Sequence, residues 1–503
     1  MTFRTHTIVL AAAAALLGSA AWAGDLPDRP EKLTFKPLDF KPPKATDYRR
    51  TLSDGTVVYM APSKEFPLIT LNLTFKGGAF MDPADMPGLT GAMAALMRSG
   101  GTTTTKPAEF DEQLDFLATN AGVNAGSETI TASLSTLKSN LDPSLKLFFD
   151  MLRNPGFDQA RLDVMKGQAV EGMKQRNDDA GAILGREWRA LMYGDDHFES
   201  RQPTKDSWEK VNVERLKAQH DRLIHPGNVV ISVTGDFDPK EMMAKLESYL
   251  KDWPKGEAVP NPPAPTARFT PGVYHVAKDI PQGKVRVGRR SIMRDDPDYY
   301  AAEIMNEVLG GGGFTSRLVK SIRSNEGLAY SVGSQFGAGV YYPTVFGAAF
   351  ESKSPTVALA IKLMNDEFER MKAAPVTDEE LEVAKKAAIE AFPQTFASRD
   401  AMLGIFVSDE WTKRDPSYWQ NYRDNISKVT AADVQRVAKK YLNMNDMAII
   451  VVGNWDDIAK GDQTGRANMG KFFDGKHTEI PLKDPLTLQP MGTPTPTPTA
   501  GGQ

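Results

Sequence analysis

Residues 309–336 organise this sequence and read Leu309-Gly-Gly-Gly-Gly-Phe-Thr-Ser-Arg-Leu-Val-Lys-Ser-Ile-Arg-Ser-Asn-Glu-Gly-Leu-Ala-Tyr-Ser-Val-Gly-Ser-Gln-Phe336. The four glycines at 310–313 predict a flexible loop. The spacing of apolar residues predicts a helix over 314–324, and Gly327 is placed to end it. The alternation that follows predicts a strand over 328–332.

Two side chains of this stretch suggest chemistry. Arg323 lies in the last predicted helical turn and Tyr330 lies on the predicted strand, so the two can converge on one side of a cleft. A guanidinium is permanently charged and a phenol offers a neutral hydroxyl, which suits binding a peptide carbonyl or an oxyanion. The alternative is structural: an arginine pairing with the last helical carbonyls beside a tyrosine of the core.

Composition places the chain among ordinary globular proteins. Its 503 residues predict two to four domains, and apolar and charged contents of 41% and 25% are typical of a soluble protein. A net charge of -4 argues against a nucleic-acid surface.

The N-terminus predicts export. Residues 1–23 combine Arg4, the apolar run 7–21 and the small-x-small site Ala21-Trp22-Ala23, which is typical of a signal peptide cleaved after Ala23. An uncleaved membrane anchor is the alternative. An exported chain without any cysteine favours a bacterial periplasmic protein.

The two halves of the sequence repeat each other. Val211 and Val429 begin similar helices, Gly235 and Gly453 end similar strands, and both pairs are 218 residues apart. A tandem duplication of one domain follows, with a cleft between the halves as the expected ligand site. The domains are predicted at 24–252 and 273–465, with a linker of six prolines at 253–272 and a disordered tail at 486–503. The fold class is α+β: two homologous domains, each an antiparallel sheet packed with helices, together forming half of a clamshell.

Other catalytic sites are poorly supported. A phosphate-binding loop needs Gly-Lys-Ser/Thr, whereas Phe314 follows the glycines here. No histidine accompanies a Gly-x-Ser-x-Gly turn, and a cysteine nucleophile is absent. His220 and His225 are five residues apart, which does not suit a zinc pair on one helical face.

The glycine loop, Arg323 and the run Gly-Leu-Ala-Tyr330-Ser-Val resemble the C-terminal half of the inverted zinc peptidases, the family of pitrilysin, insulysin and mitochondrial processing peptidase. The duplication, the Thr-Gly-Asp-Phe-Asp turn at 234–238 and the proline linker are similar too. The resemblance covers roughly residues 45–465.

That family carries His-x-x-Glu-His on a helix of its N-terminal half, where the histidines bind zinc and the glutamate activates water. The matching positions here are Gly91, Ala94 and Ala95, and the third ligand falls on Glu171 or Gly172. The resemblance therefore implies a chain without zinc, even if Glu171 is retained.

Some members of the family divide these tasks between subunits. One subunit carries zinc, and its partner keeps the Arg and Tyr that engage the substrate. By this resemblance Arg323 and Tyr330 would bind peptide and stabilise the oxyanion, Gly311, Gly312 and Gly313 would contact substrate, and a homologous zinc-binding subunit would complete a periplasmic heterodimeric metallopeptidase. The loop is alternatively a simple connection. The chain as a whole is alternatively an inert scaffold or peptide-binding protein of the same fold, or a peptidase with an unrecognised metal site.

Overall fold

A computed structural model describes residues 39–492 of the chain. The predicted signal peptide and residues 493–503 of the predicted tail lie outside the described residues. All elements named below belong to the second of its two compact units, Pro42–Gln503. Within residues 39–492, no helix is both long enough and apolar enough to cross a membrane.

The first sheet has six strands in the order β1-β2-β6-β3-β5-β4. The strands are β1 (Arg49–Thr51), β2 (Val57–Pro62), β3 (Leu68–Lys76), β4 (Asn120–Ala125), β5 (Thr129–Leu137) and β6 (Val229–Gly235). All neighbours are antiparallel except β2 and β6, which are parallel. The sequence predicted an antiparallel sheet, whereas this sheet is mixed. Strands β2 and β6 can run parallel because a long, largely helical stretch of chain connects them.

The second sheet has the order β10-β12-β8-β13-β7-β14, in which the first five strands repeat this topology and β14 is an added edge strand parallel to β7. Its strands are β7 (Gly272–Ala277), β8 (Gln282–Arg290), β10 (Val332–Phe336), β12 (Val345–Lys353), β13 (Ala448–Gly453) and β14 (Thr478–Glu479), while β9 (Ile292–Met293) and β11 (Ala338–Gly339) form a separate pair. Strand β13 is parallel to β7, as β6 is to β2. The predicted pair Gly235 and Gly453 ends the equivalent strands β6 and β13. Two similar α+β halves are thus present, as predicted.

Sixteen α-helices cover the sheets within the described part of the chain. They are α1 (Ala45–Tyr48), α2 (Leu89–Ser99), α3 (Pro107–Phe116), α4 (Leu141–Arg153), α5 (Gln159–Lys174), α6 (Ala180–Tyr193), α7 (Lys205–Glu209), α8 (Val213–Leu223), α9 (Pro239–Leu250), α10 (Tyr299–Asn306), α11 (Val357–Ala373), α12 (Asp378–Ala391), α13 (Arg399–Thr412), α14 (Tyr418–Lys428), α15 (Ala431–Tyr441) and α16 (Trp455–Lys460).

The two halves exchange one helix each. Helix α13 of the second half packs on β2 and β6 of the first sheet, where Phe406 is 1% exposed and its ring lies 5.8 Å from that of Tyr59. Helix α6 of the first half packs on β8 and β13 of the second sheet. Its Trp188 shares a core with Ile450 and other residues of that sheet. The halves are therefore joined by apolar packing as well as by the linker.

The predicted linker has no regular structure, whereas the first residues of the predicted tail do form a turn. Residues 253–271 contain no regular element, as an extended proline-rich segment should. Residues 486–492, assigned to the tail by sequence, form a turn: Leu486 accepts a hydrogen bond from the backbone N–H of Lys205, and Met491 donates to Leu482 at 2.8 Å.

Candidate functional site

The glycine turn is more ordered than a flexible loop. Helix α10 continues into a π-helical turn over Glu307–Gly311, and Gly310 is buried. A Cβ at Gly310 would lie 2.5 Å from the hydroxyl of Ser334 on β10, so only glycine permits this approach of helix to strand. The predicted loop is thus confined to 312–313, where Gly313 has a φ of +57°.

The predicted helix over 314–324 begins later than expected. Phe314 belongs to a 3-10 turn over Gly313–Thr315, Ser316 is extended, and helical backbone runs from Arg317 to Asn325, mostly as a π-helix. The hydroxyl of Ser316 donates to the carbonyl of Gly313 at 2.6 Å and closes the turn. This local hydrogen bond competes with helix at the start of the segment.

The end of this helix is as predicted. Gly327 adopts a φ of +64°, and its N–H donates to the carbonyl of Arg323 at 3.1 Å. The next N–H, that of Leu328, reaches the carbonyl of Ile322 at 2.9 Å. A glycine at this position satisfies the last helical carbonyls without strain. The chain then reaches β10 only at Val332, so Tyr330 lies in the segment before the strand and not on it as predicted.

Arg323 and Tyr330 do converge, and a third side chain joins them. The guanidinium carbon of Arg323 lies 4.6 Å from the ring centroid of Tyr330 and 4.7 Å from that of Phe314. Both rings are exposed, Tyr330 by 85% and Phe314 by 69%. We call this arrangement of Phe314, Arg323 and Tyr330 the aromatic clamp.

The polar groups of the aromatic clamp are available to bind another molecule. Within residues 39–492, neither the Arg323 guanidinium nor the Tyr330 hydroxyl has a hydrogen-bonding or ion-pair partner. The structural alternative, an arginine on helical carbonyls beside a core tyrosine, is therefore wrong for both residues. Stacking fixes the plane of the guanidinium while its N–H groups stay available to an acceptor from another molecule.

An ion pair anchors the segment between Phe314 and Arg323. Arg317 donates to both carboxylate oxygens of Glu380 in α12, at 2.8 and 2.7 Å. The hydrogen bonds from Arg317 lower the pKa of Glu380 to about 2, against the opposing effect of burial and with help from the backbone N–H of Thr377. A bidentate, partly buried pair of this kind fixes both distance and direction.

Sequence reasoning missed Phe314. Its signal was a large aromatic side chain directly after four glycines. The nine residues that separate it from Arg323 do not place it on the same helical face.

The family's zinc positions hold no metal ligands. On α2, Gly91 and Ala95 are exposed and Ala94 is buried, while Glu171 on α5 is exposed and pairs with Lys174 at 2.7 Å. No cluster of three or more His, Cys, Asp or Glu side chains within residues 39–492 could hold a metal ion. Gly91 borders a small cavity of about 190 Å³, which the side chains of Asp82, Phe198 and Arg201 also line.

The two histidines considered for metal binding have structural surroundings. His220 is buried on α8, with Nε2 2.7 Å from the carbonyl oxygen of Leu152. His225 is buried in the following turn, and an added Cβ at Gly256 would lie 2.6 Å from its ring. Burial lowers the pKa of His225.

Comparison with known proteins identifies the class of the fold. Residues 210–388 match the family model described as peptidase M16 inactive domain. The chain is 24% identical to the non-peptidase homolog YmxG of Helicobacter pylori, over 77% of this chain and 89% of that protein. The predicted resemblance is confirmed: residues 210–388 match the M16 inactive domain, and most of the chain is similar to a relative named as a non-peptidase homolog.

Solved structures agree with this assignment. The peptidase M16 inactive domain from Pseudomonas fluorescens has a TM-score of 0.71 and 25% identity, covering 81% of this chain and 97% of that one. The periplasmic protease PqqL from Escherichia coli has a TM-score of 0.69 and 16% identity, covering 88% of this chain but only 50% of its own. This chain therefore matches the fold of half of that larger protein.

Proposed function

We propose that this chain is the substrate-binding, non-catalytic subunit of a periplasmic heterodimeric zinc peptidase. The observation that carries the proposal is the aromatic clamp, a guanidinium that lies against two exposed rings and has no acceptor among the described residues. It occurs on a fold whose zinc positions, Gly91, Ala94 and Ala95, have no ligating atoms. The proposal assigns the substrate-binding half of a peptide-cleaving site to this chain and the metal half to another.

The length of the match supports a second subunit. The chain corresponds to half of the PqqL fold, so a homologous chain would supply the other half. That partner would carry the zinc ion and the general base, which together provide an activated water. The cleft between the two chains would hold the peptide, with Gly311, Gly312 and Gly313 at its wall.

The role of the aromatic clamp follows from its donors. As water attacks a peptide carbonyl, negative charge develops on the carbonyl oxygen. The Arg323 guanidinium and the Tyr330 hydroxyl would donate hydrogen bonds to that oxygen, and their value is greatest when they are already oriented. Stacking of the Arg323 guanidinium against the rings of Phe314 and Tyr330 orients its N–H groups before the substrate binds.

Export to the periplasm remains part of the proposal. It is supported by the signal-like residues 1–23 and by the absence of cysteine from the chain.

The test is reconstitution with an exported homologue that carries His-x-x-Glu-His. The purified pair should contain about one zinc per heterodimer and cleave peptides that neither chain cleaves alone. Arg323→Ala should reduce kcat/KM by about 10²- to 10³-fold without dissociating the pair, because one oxyanion donor is lost. Arg215→Ala, a change at an exposed arginine of α8, is the control and should leave turnover unchanged. Full turnover by an assembled Arg323→Ala complex would contradict the proposal.

A scaffold role is the second candidate, and the name of the Helicobacter pylori relative, non-peptidase homolog, favours it. In that case the reconstituted pair would assemble without cleaving any peptide. Peptide affinity of the isolated chain would then be unaffected by Arg323→Ala.

A further inference from the structure

A groove lies beside the aromatic clamp on the second sheet. Helix α6 covers the central strands β8 and β13 of this face and leaves the outer strands β12 and β10 open. The groove has a volume of about 650 Å³ and begins at Ser331, the residue after Tyr330. Trp188 of α6 forms its far wall together with Arg286 of β8.

The floor of this groove is made of small residues. Gly333 of β10 and Ala349 of β12 belong to this floor, and they are in register with Arg286 of β8 at the wall, so the three residues point to the same face. Gly347 lies beside them, where an added Cβ would be 3.6 Å from Trp188. Strand β10 has no neighbouring strand on its outer side within the described residues, and the turn Glu307–Gly311 packs against it. The groove thus offers an open floor of small residues that suits an extended peptide segment.

Arg286 is the charged side chain among the described residues that line this groove. The guanidinium carbon of Arg286 lies 5.5 Å from the ring centroid of Trp188. Within residues 39–492 that guanidinium has no hydrogen-bonding or ion-pair partner. Burial lowers the pKa of Arg286, and the nearby positive charge of Arg189 lowers it further. Among the described residues no aspartate or glutamate lines the groove, although Glu307 lies beside Gly311 of the glycine turn, where burial raises the pKa of Glu307.

We propose that this groove binds an extended peptide and that Arg286 selects a carboxylate on it. A half-buried guanidinium held on an indole ring gains a bidentate acceptor when a carboxylate binds, and the neighbouring Arg189 adds favourable charge. The carboxylate belongs either to an Asp or Glu side chain or to the C-terminus of the peptide. The selected class of ligand is therefore an acidic peptide.

The sheet geometry sets the position of this carboxylate. Two strand spacings separate Gly333 from Arg286, about 10 Å, and three residues separate Tyr330 from Gly333, at most about 10 Å. Combined at right angles, these two separations put Tyr330 and Arg286 about 14 Å apart, a distance that an extended peptide covers in about four residues. If the aromatic clamp engages the scissile bond, as the proposed function states, then the preferred carboxylate lies about four residues away from that bond.

Peptide binding to the isolated full chain tests the inference without the partner. Calorimetric titration would compare three capped decapeptides of Ala, Ser and Gly: one with a central Glu and an amidated end, one with Gln and an amidated end, and one with Gln and a free C-terminal carboxylate. At least one carboxylate peptide should bind about 10- to 100-fold tighter than the neutral one. The comparison of the two carboxylate peptides identifies the source of the charge.

Variants separate charge from shape. Arg286→Gln should abolish the preference for carboxylate, and Arg286→Lys should retain part of it, because a lysine keeps the charge but not the planar fork. Arg289→Gln, on the same strand with Asp446 3.7 Å away, is the matched control and should retain the preference. Gly347→Leu should fill the floor and weaken binding of every peptide. Equal affinity for the three peptides, no binding by any of them, or a preference that survives Arg286→Gln would overturn the inference, whatever the cleavage activity of the heterodimer proves to be.

Discussion

The aromatic clamp makes a quantitative prediction through Phe314, a residue with no hydrogen-bonding group to offer a substrate. Replacing it with alanine removes one of the two rings that hold the Arg323 guanidinium. The other ring, Tyr330, remains 4.6 Å away and keeps part of the restraint. Phe314→Ala should therefore weaken catalysis by loosening Arg323 rather than by removing a donor.

The size of the effect follows from the exposure of the rings. A cation–π contact at an exposed site contributes about 0.5–1 kcal/mol. If that stabilisation is lost from the oriented guanidinium, kcat/KM of the heterodimer should fall about 2- to 5-fold. Phe314→Tyr keeps a ring at the same place and should retain nearly full activity.

A double-mutant cycle gives the decisive measurement. Steady-state cleavage of one peptide would be followed for the unchanged complex, Phe314→Ala, Arg323→Ala and the double variant. Because Phe314 acts through Arg323, its replacement should have almost no effect once Arg323 is absent. A loss that is the same in both backgrounds would refute the positioning role, and would instead indicate that Phe314 contacts the substrate directly.

Two further predictions concern the framework. Phe406→Ala should destabilise the chain by about 3–5 kcal/mol, because a large, fully buried side chain between α13 and the first sheet is lost; calorimetric unfolding should show both halves melting earlier, and a shift confined to one half would contradict their shared packing. Glu380→Gln should destabilise by about 1–3 kcal/mol at pH 7 by breaking the pair with Arg317. Because the folded pKa of Glu380 is depressed from 4.5 to about 2, its contribution is complete above about pH 4.5 and disappears as the pH falls towards 2. Thermal unfolding of the variant should accordingly depend less on pH across that interval, and an unchanged acid dependence would exclude this pair as its source.

Local features of the site were predictable from sequence because they depend on neighbouring residues. Gly327 ends its helix through a backbone conformation that glycine adopts without cost, and this signal needs no tertiary context. The apolar spacing that predicted the helix after the glycines places Leu318 and Ile322 on one face, and both side chains are fully buried. The equal spacing of the pairs Val211 and Val429 and Gly235 and Gly453 predicted a repeat, and the two similar sheets are that repeat.

Features that depend on distant contacts were not predictable in this way. Gly310 was assigned to a loop, yet it continues a helix because Ser334, more than twenty residues later, lies against it. Tyr330 has the alternating pattern of a strand residue, but the chain between Gly327 and Val332 first has to leave the helix end. Phe314 joins Arg323 only because the 3-10 turn and the Arg317–Glu380 pair bring its ring back over the helix.

The exchanged helices constrain how the first half can fold. The last strand of the first sheet ends at Gly235. Helix α13, which covers one face of that sheet, ends at Thr412, almost 180 residues later. A first half that folds before the rest of the chain is available leaves this face uncovered. Tyr59 and Val230, which share a core with α13, would then face solvent, so a first half produced alone should be prone to aggregation.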